Sequence, residues 1–420
     1  MKRFFVLLVL LGVLLTSFTF AAKTKITYWQ YFYETKKITI DQLIKEFEKQ
    51  NPDIEVEHVT FPYANYNQKV ASSIPAGVGP DVINLYYGWI PKYVTSGYLI
   101  PLPEEDFSKE YLQSQFFSFV SKGIEFNGKY YALPIAVRSL ALFWNKKLFE
   151  QAGLDPEKPP TTLQELVEYA KRLTVYDKKG NIVQEGLTMQ PSGQGHHWIR
   201  EVLVRQFGGV PYTSDSRTVL YDKTGAGSDV LKFYTDLITV DKVGYPGFMN
   251  DDVTAFKAQK AAMTIDGSFR IGTLNKIKGL EWGVAELPSY MGVKSNFASF
   301  WANGITTNAT QDPKKLEAAV KFIKFLSSPE SMKLWLKNVG ELPANPELAK
   351  EYYDDPVYGA FLRGLEYAHA TFFVDESAQR QVMMDAVDKV VLKGISPEVA
   401  WREAAEEEQK VLDNFWSSIQ

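Results

Sequence analysis

The stretch from Ile26 to Leu85 fixes the fold class, because extended and helical patterns alternate along it. Ile26-Thr27-Tyr28-Trp29 is β-branched or aromatic and reads as a strand. Ile40, Leu43, Ile44 and Phe47 recur at i, i+3, i+4 and i+7, which predicts an amphipathic helix. Thr39 and Gln42 suit a capping box for it, and Asn51-Pro52 a stop. Ile54 to Val59 alternates as a second strand, a helix from Tyr66 to Ile74 is halted by Pro75, and glycine-rich Ala76 to Pro80 leads into apolar Asp81 to Leu85. This order implies an α/β architecture, a mostly parallel sheet with helices on both faces. Binding sites in such sheets lie outside the strand C-termini.

Further along, Gly128 to Ile135 and Leu140 to Asn145 read as two strands separated by a short polar break, a passage from one lobe to another. Thr162 and Glu165 match a capping box for a helix with the stripe Leu163, Leu166, Val167 and Ala170. Asp177-Lys178-Lys179-Gly180 suits a hairpin turn, and helices are expected over 316–326, 329–337, 358–369 and 397–415. A chain of 420 residues exceeds what one hydrophobic core serves, so two domains are expected.

The N-terminus has the layout of a secretory signal peptide over residues 1–22: Lys2 and Arg3, an apolar run from Phe4 to Leu15, then Thr19-Phe20-Ala21-Ala22, with cleavage after Ala21 or Ala22. The apolar run is shorter than the ~20 residues of a bilayer span. Cysteine is absent, which excludes disulfides, thiolate metal sites and a lipidated anchor. A net charge of −4 with both signs interspersed argues against a nucleic-acid partner. The expectation is a soluble, monomeric protein of the periplasm or extracytoplasmic space, with no cofactor and no metal.

The sequence contains no Gly-x-Ser-x-Gly, no His-Glu-x-x-His and no P-loop, and nothing selects a glycosidase pair from its 50 acidic residues. It is therefore expected not to be an enzyme. Aromatic residues make up 14% of the chain, more than packing needs, so some should face a ligand.

Several segments in order resemble a known family: Phe47 to Ile54, Gly77 to Val82, Gly97 to Leu102, Tyr131 to Pro134, Phe143 to Lys146, Gly153-Leu154 with Pro160 to Thr162, Ala261 to Gly267, and Trp282 to Pro288. The chain resembles the extracellular solute-binding proteins of ABC importers, in the sugar-binding cluster that includes maltose-binding protein. The resemblance implies a two-lobed periplasmic-binding-protein fold, each lobe a mostly parallel sheet with flanking helices, joined by crossover strands. It places lobe I at 23–134 plus 300–350 and lobe II at 135–299 plus 351–420. It implies a sugar bound between lobes that close like a hinge, and delivery to transmembrane permease subunits; the number of aromatic residues, enough for several subsites, favours a di- or oligosaccharide.

Sugar sites need aromatic planes and side chains that take paired hydroxyls. The candidates are Trp29 and Tyr31 after the first strand, with Trp29 alternatively core, and Tyr86, Tyr87 and Trp89 in a loop that Gly88 lets turn. Arg138 stands where maltose-binding protein's similar segment is acidic, to grip hydroxyls or a ligand carboxylate, or to salt-bridge across the crossover. Trp198 enters from the polar turn Gly193 to His197; the adjacent histidines suggest a metal, but helical neighbours point about 100° apart. Asp266 is a hydroxyl acceptor or the N-cap of the next helix. Trp301 with Asn303 offers a plane beside an amide, and Phe372 and Phe373 are core or ligand contacts. Polyamine, peptide and phosphorylated polyol ligands are alternatives, less suited to an aromatic and amide site.

Overall fold

The computed structural model describes residues 22–419, so the expected signal peptide lies, except for Ala22, outside the described residues. The chain opens with β1 (Thr24–Tyr31), α1 (Glu34–Gln50), β2 (Ile54–Phe61), α2 (Tyr63–Ser73) and β3 (Val82–Tyr86). β1 lies between β2 and β3, and both pairings are parallel. α1 buries Ile40, Leu43, Ile44 and Phe47, the stripe its periodicity predicts. It starts earlier than the predicted capping box, at Glu34, with no side-chain bond from the N-cap Tyr33. Thr39 is thus inside the helix, where its hydroxyl donates to the Thr35 carbonyl at 2.8 Å.

Two long strands carry the sheet from one half of the molecule to the other. Ala132–Asn145 is a single strand of 14 residues, not two. It pairs antiparallel first with Asn296–Ile305 and then with Ala261–Gly267, while Trp282–Ala285 takes the other side of its second part. The polar residues that suggested a break are satisfied where they stand: Ser139 donates to the Phe361 carbonyl at 2.8 Å, and Arg138 to Glu341 at 2.5 Å. Lys129–Tyr130, expected to join this strand, pairs separately with Glu125–Phe126. The returning strand Asn296–Ile305 is buried throughout and pairs with β3 on its other side.

Buried apolar side chains form two clusters. The first surrounds β1 to β3, roofed by Phe322 and Trp335 of the helices Pro313–Leu326 and Pro329–Val339. The second holds Leu142, Leu166, Trp198, Tyr234 and Trp401. Phe143 extends the first cluster along the long strand to Phe256 and Phe361, at 6.5 and 5.6 Å between ring centroids. The Thr162 capping box is present, with the Glu165 N–H donating to the Thr162 hydroxyl at 3.1 Å.

Two predicted helices are shortened. The segment entered through the Gly193 to His197 turn, read from the sequence as a helix running to Phe207, is instead wound as π-type turns, Pro191–Gly195 and Trp198–Leu203, before Val204–Gln206, with Gly193 outside helical geometry within the first. The helix expected over 358–369 ends at Leu365; the Tyr367 carbonyl accepts from the Asn296 N–H, and Ala368–His369 pairs with the returning strand. No helix among the described residues is long and apolar enough to cross a membrane.

Beneath the second cluster, Glu185 is buried and accepts the Tyr245 N–H at 2.9 Å. Burial, with Asp252 nearby, pushes its carboxyl up from 4.5 to about 8. Across that interval the folded chain keeps a proton that the unfolded chain has lost, so stability falls as pH rises, by up to about 1.4 kcal/mol per pH unit. Glu185→Gln keeps the acceptor and removes the titration. Urea denaturation at pH 5 and pH 8 should show the variant gaining on the parent at the higher pH; equal curves at both would contradict the assignment.

Candidate ligand-binding cleft

Tyr31 ends β1, Tyr86 ends β3, and Trp301 stands opposite Tyr86 on the returning strand. Parallel pairing of β1 and β3 thus brings two aromatic strand ends to one edge, as expected for this sheet type. The Trp301 ring lies 4.3 Å from Tyr31, 5.3 Å from Trp89, 5.8 Å from Tyr86 and 6.3 Å from Tyr63. From the other half, Phe269 follows the strand Ala261–Gly267 and sits beneath the Arg138 guanidinium at 4.8 Å. Tyr31, Tyr63, Trp301 and Phe269, with Tyr33, Val339 and the side chains of Lys36, Arg138 and Glu341, enclose a pocket of about 240 Å³.

The charges at this pocket form one cluster. Glu341 is 2% exposed and takes Arg138 and Lys36 on one oxygen, with the Lys36 ammonium at 2.9 Å, and the Trp335 indole N–H on the other at 2.8 Å. Burial alone would raise the Glu341 carboxyl, but Arg138 and Lys36 overcome it and hold the group down at about 2. Burial lowers Lys36 to about 8 against the pull of Glu341. The Lys36 ammonium also lies 5.2 Å from the Tyr31 ring and 5.7 Å from those of Trp301 and Trp335. Its ion-pair distance is short, yet it makes no hydrogen bond of good angle among the described residues.

Of the sequence candidates, Tyr31, Arg138 and Trp301 line this pocket, and Tyr86 and Trp89 pack against Trp301. Trp29 does not line this pocket and packs against Phe61 at 4.7 Å in the first core. Tyr87 stacks on Phe300 at 4.8 Å on the opposite face of the returning strand, and with Phe373 lines a larger cavity of about 680 Å³ there. Gly88 serves close packing more than turning, since a Cβ there would meet Phe373 at 2.8 Å. Trp198 lies in the second core against Phe233 and Tyr234. Asp266 ends a strand rather than capping a helix; it accepts from the Gly267 N–H and the Arg270 guanidinium, both at 2.7 Å. Asn303 is fully buried and accepts from Tyr28 at 2.9 Å and Asn84 at 3.2 Å, two residues deeper than Trp301 along an unbroken ladder with β3. His197 stacks on Phe297 at 3.7 Å, and burial holds both histidines well below their usual pKa, hence neutral.

Sequence reading missed Lys36, Tyr63, Phe269 and Glu341. For Lys36 the signal was present, because extending the Ile40, Leu43, Phe47 stripe back one turn places it on the buried face of α1.

A family model of bacterial extracellular solute-binding proteins matches residues 42–360, and the chain belongs to that family. It is similar to the maltotriose-binding protein of Pyrococcus abyssi, 27% identical over 82% of this chain and 72% of that protein. It is similar also to the sn-glycerol-3-phosphate-binding periplasmic protein of Salmonella typhimurium, 26% identical over 79% of this chain and 78% of the relative. A solved ABC transporter solute-binding protein from Thermotoga lettingae, bound with α-D-tagatose, superposes with a TM-score of 0.76 and 25% identity, over 93% of this chain and all of that one. The fold is accordingly the two-lobed α/β fold of these binding proteins.

Glu341→Gln removes the one carboxylate that Lys36 and Arg138 share. Leaving two buried cations without it should cost about 3–5 kcal/mol in chemical denaturation. In the parent, the Glu341 contribution is fully present above pH 4.5 and is lost as pH falls toward 2. A variant as stable as the parent at pH 7 would show that the cluster contributes nothing to the fold.

Proposed function

We propose that this protein is the secreted substrate-binding component of an ABC importer, that it captures a carbohydrate between its lobes, and that it delivers the ligand to transmembrane permease subunits without altering it. The observation that carries this reading is the Trp301 cluster: Tyr31, Tyr63 and Trp301 gather beside Phe269, which reaches the same pocket from the other half of the sheet. Aromatic planes suit the C–H faces of sugar rings, and the flanking cations suit hydroxyls. The sugar-binding relatives and the tagatose-bound structure support the same ligand class.

We divide the chain into lobe I, 23–134 plus 300–350, and lobe II, 135–299 plus 351–420; the second core falls wholly within lobe II, while the first fills lobe I and runs on into lobe II through Phe143, Phe256 and Phe361. A ligand touching Trp301 and Phe269 together favours the closed arrangement by its extra contacts, and closure is the state an importer would read. The N-terminal signal pattern supports export, and the absence of catalytic motifs supports binding without chemistry.

A thermal-shift screen of the purified mature protein against mono- and oligosaccharides tests the reading directly. A sugar at 100 times its Kd should add ~2.7 kcal/mol of stability and be recovered unchanged. A sugar converted to product would overturn the non-enzymatic role. For the stabilising sugar, Trp301→Ala should weaken binding by about 2 kcal/mol, measured calorimetrically; an unchanged Kd would remove Trp301 from the site. Small-angle scattering should show a smaller radius of gyration with ligand than without, and identical profiles would count against closure.

A further inference from the structure

The described residues lining the Trp301 pocket include two cations, Lys36 and Arg138, and one carboxylate, Glu341. Neighbouring charges are paired among themselves: Arg270 with Asp266 at 2.7 Å, and Arg380 with Glu376 at 3.3 Å. Glu34, in the first turn of α1, is exposed and screened by solvent. Asp252, on the second half of the chain, is pushed up to about 7 by burial, with Asp266 beside it, and so supplies at most part of a charge. The pocket therefore carries one buried positive charge in excess.

That excess is costly unless a ligand offsets it. Glu341 offers it little, since its two oxygens already serve Arg138, Lys36 and Trp335. Lys36 is 2% exposed, and its contact with Glu341 at 2.9 Å can take only one of its three N–H groups. The rings around it attract a cation but supply no oxygen lone pair. The α1 N-terminus opens at the same pocket, with Tyr33 and Lys36 both in the lining and no side-chain cap on the helix, and it adds to the positive field.

We infer that the carbohydrate bound here is acidic, a saccharide with one carboxylate placed at Lys36 and Arg138 and sugar rings stacked along Trp301 and Tyr31, as in an oligomer of a hexuronic acid. This rests on the carbohydrate reading above and narrows it. A carboxylate matches the single excess charge, whereas a phosphate monoester, at about −1.5 to −2 near pH 7, exceeds it. Arg138 accommodates a planar carboxylate through the guanidinium edge that Glu341 leaves free.

The test is calorimetry on the ligand-free mature protein with di- and trimers of galacturonate, glucuronate and mannuronate, their methyl esters, maltotriose, mannotriose and glucose 1-phosphate. One uronate oligomer should bind, and its methyl ester, with the same rings and no charge, should bind at least about tenfold more weakly. Raising salt should weaken the acid more than the ester, and Arg138→Gln should shrink the acid-to-ester ratio. Lys36→Met is a second route to the same ratio should the arginine variant fail to fold. Binding of a neutral oligosaccharide in preference to every uronate, or an ester equal to its acid, overturns the acidic ligand and leaves the carbohydrate reading standing. Glucose 1-phosphate as the sole tight ligand replaces the carboxylate with phosphate, and binding of no saccharide overturns both readings.

Discussion

Everything at the cleft depends on two long strands whose backbone must stay hydrogen-bonded while it passes between two cores. Ala132–Asn145 meets this demand by exchanging partners, from the returning strand at its start to Ala261–Gly267 and Trp282–Ala285 at its end. Buried backbone groups left unpaired would each cost more than a typical hydrogen bond contributes. Arg138 and Ser139 occupy the exchange point because side-chain partners, Glu341 and the Phe361 carbonyl, arrive from later parts of the chain.

The second dependency is electrostatic. Glu341 belongs to the segment after Pro329–Val339, where Gly340 takes a left-handed conformation, φ 82°, that ends the helix and turns the chain toward the crossing strand. Leu342 then pairs with Val137 as an isolated bridge, fixing Glu341 beside Arg138. A helix end, one bridge and three charges thus tie the first core to the crossing strand at the pocket itself. On the proposed function, these fixed dipoles and charges would stand ready before a ligand arrives and so lower the ordering cost of binding.

How much of this was legible in the sequence follows from the range of each interaction. Periodicity located β1 to β3 with their helices, and the Thr162 capping box was read correctly, because these depend on residues a few positions apart. Tyr31, Arg138 and Trp301, read from the sequence as polar or aromatic residues at strand ends and crossovers, line the pocket proposed as the site. Glu341 was not, since its partner Arg138 is 203 residues away in the chain and no local pattern encodes that meeting. Asn303 falls outside the pocket for a different reason: its ladder with β3 runs unbroken from Trp301, but two residues further in its side chain is sealed beneath Tyr28 and Asn84, and the register irregularity opposite it belongs to the crossing strand, where Ile135 is the extra residue. Tyr87 and Trp198 show the limit of aromatic type as a signal, because large rings fill cores as readily as they face ligands.

The same irregularity bears on how closure would act. Sheets bend most easily where register shifts, since a ladder bond is already disrupted there. The extra residue here is Ile135 of the crossing strand, opposite the step from Trp301 to Ala302; the Trp301 ring contacts Tyr31, while its neighbour Phe300 packs against Tyr87 on the opposite face. A hinge placed at the stacking residue needs no long relay between ligand and lobe movement. The larger cavity behind Phe300 gives the opposite face room to change as the pocket does, lined as it is from both halves by Lys122 and Arg205. On the closure proposed above, ligand stacking and strand bending are then alternative descriptions of one local rearrangement, and the binding energy enters at the point where the structure is easiest to bend.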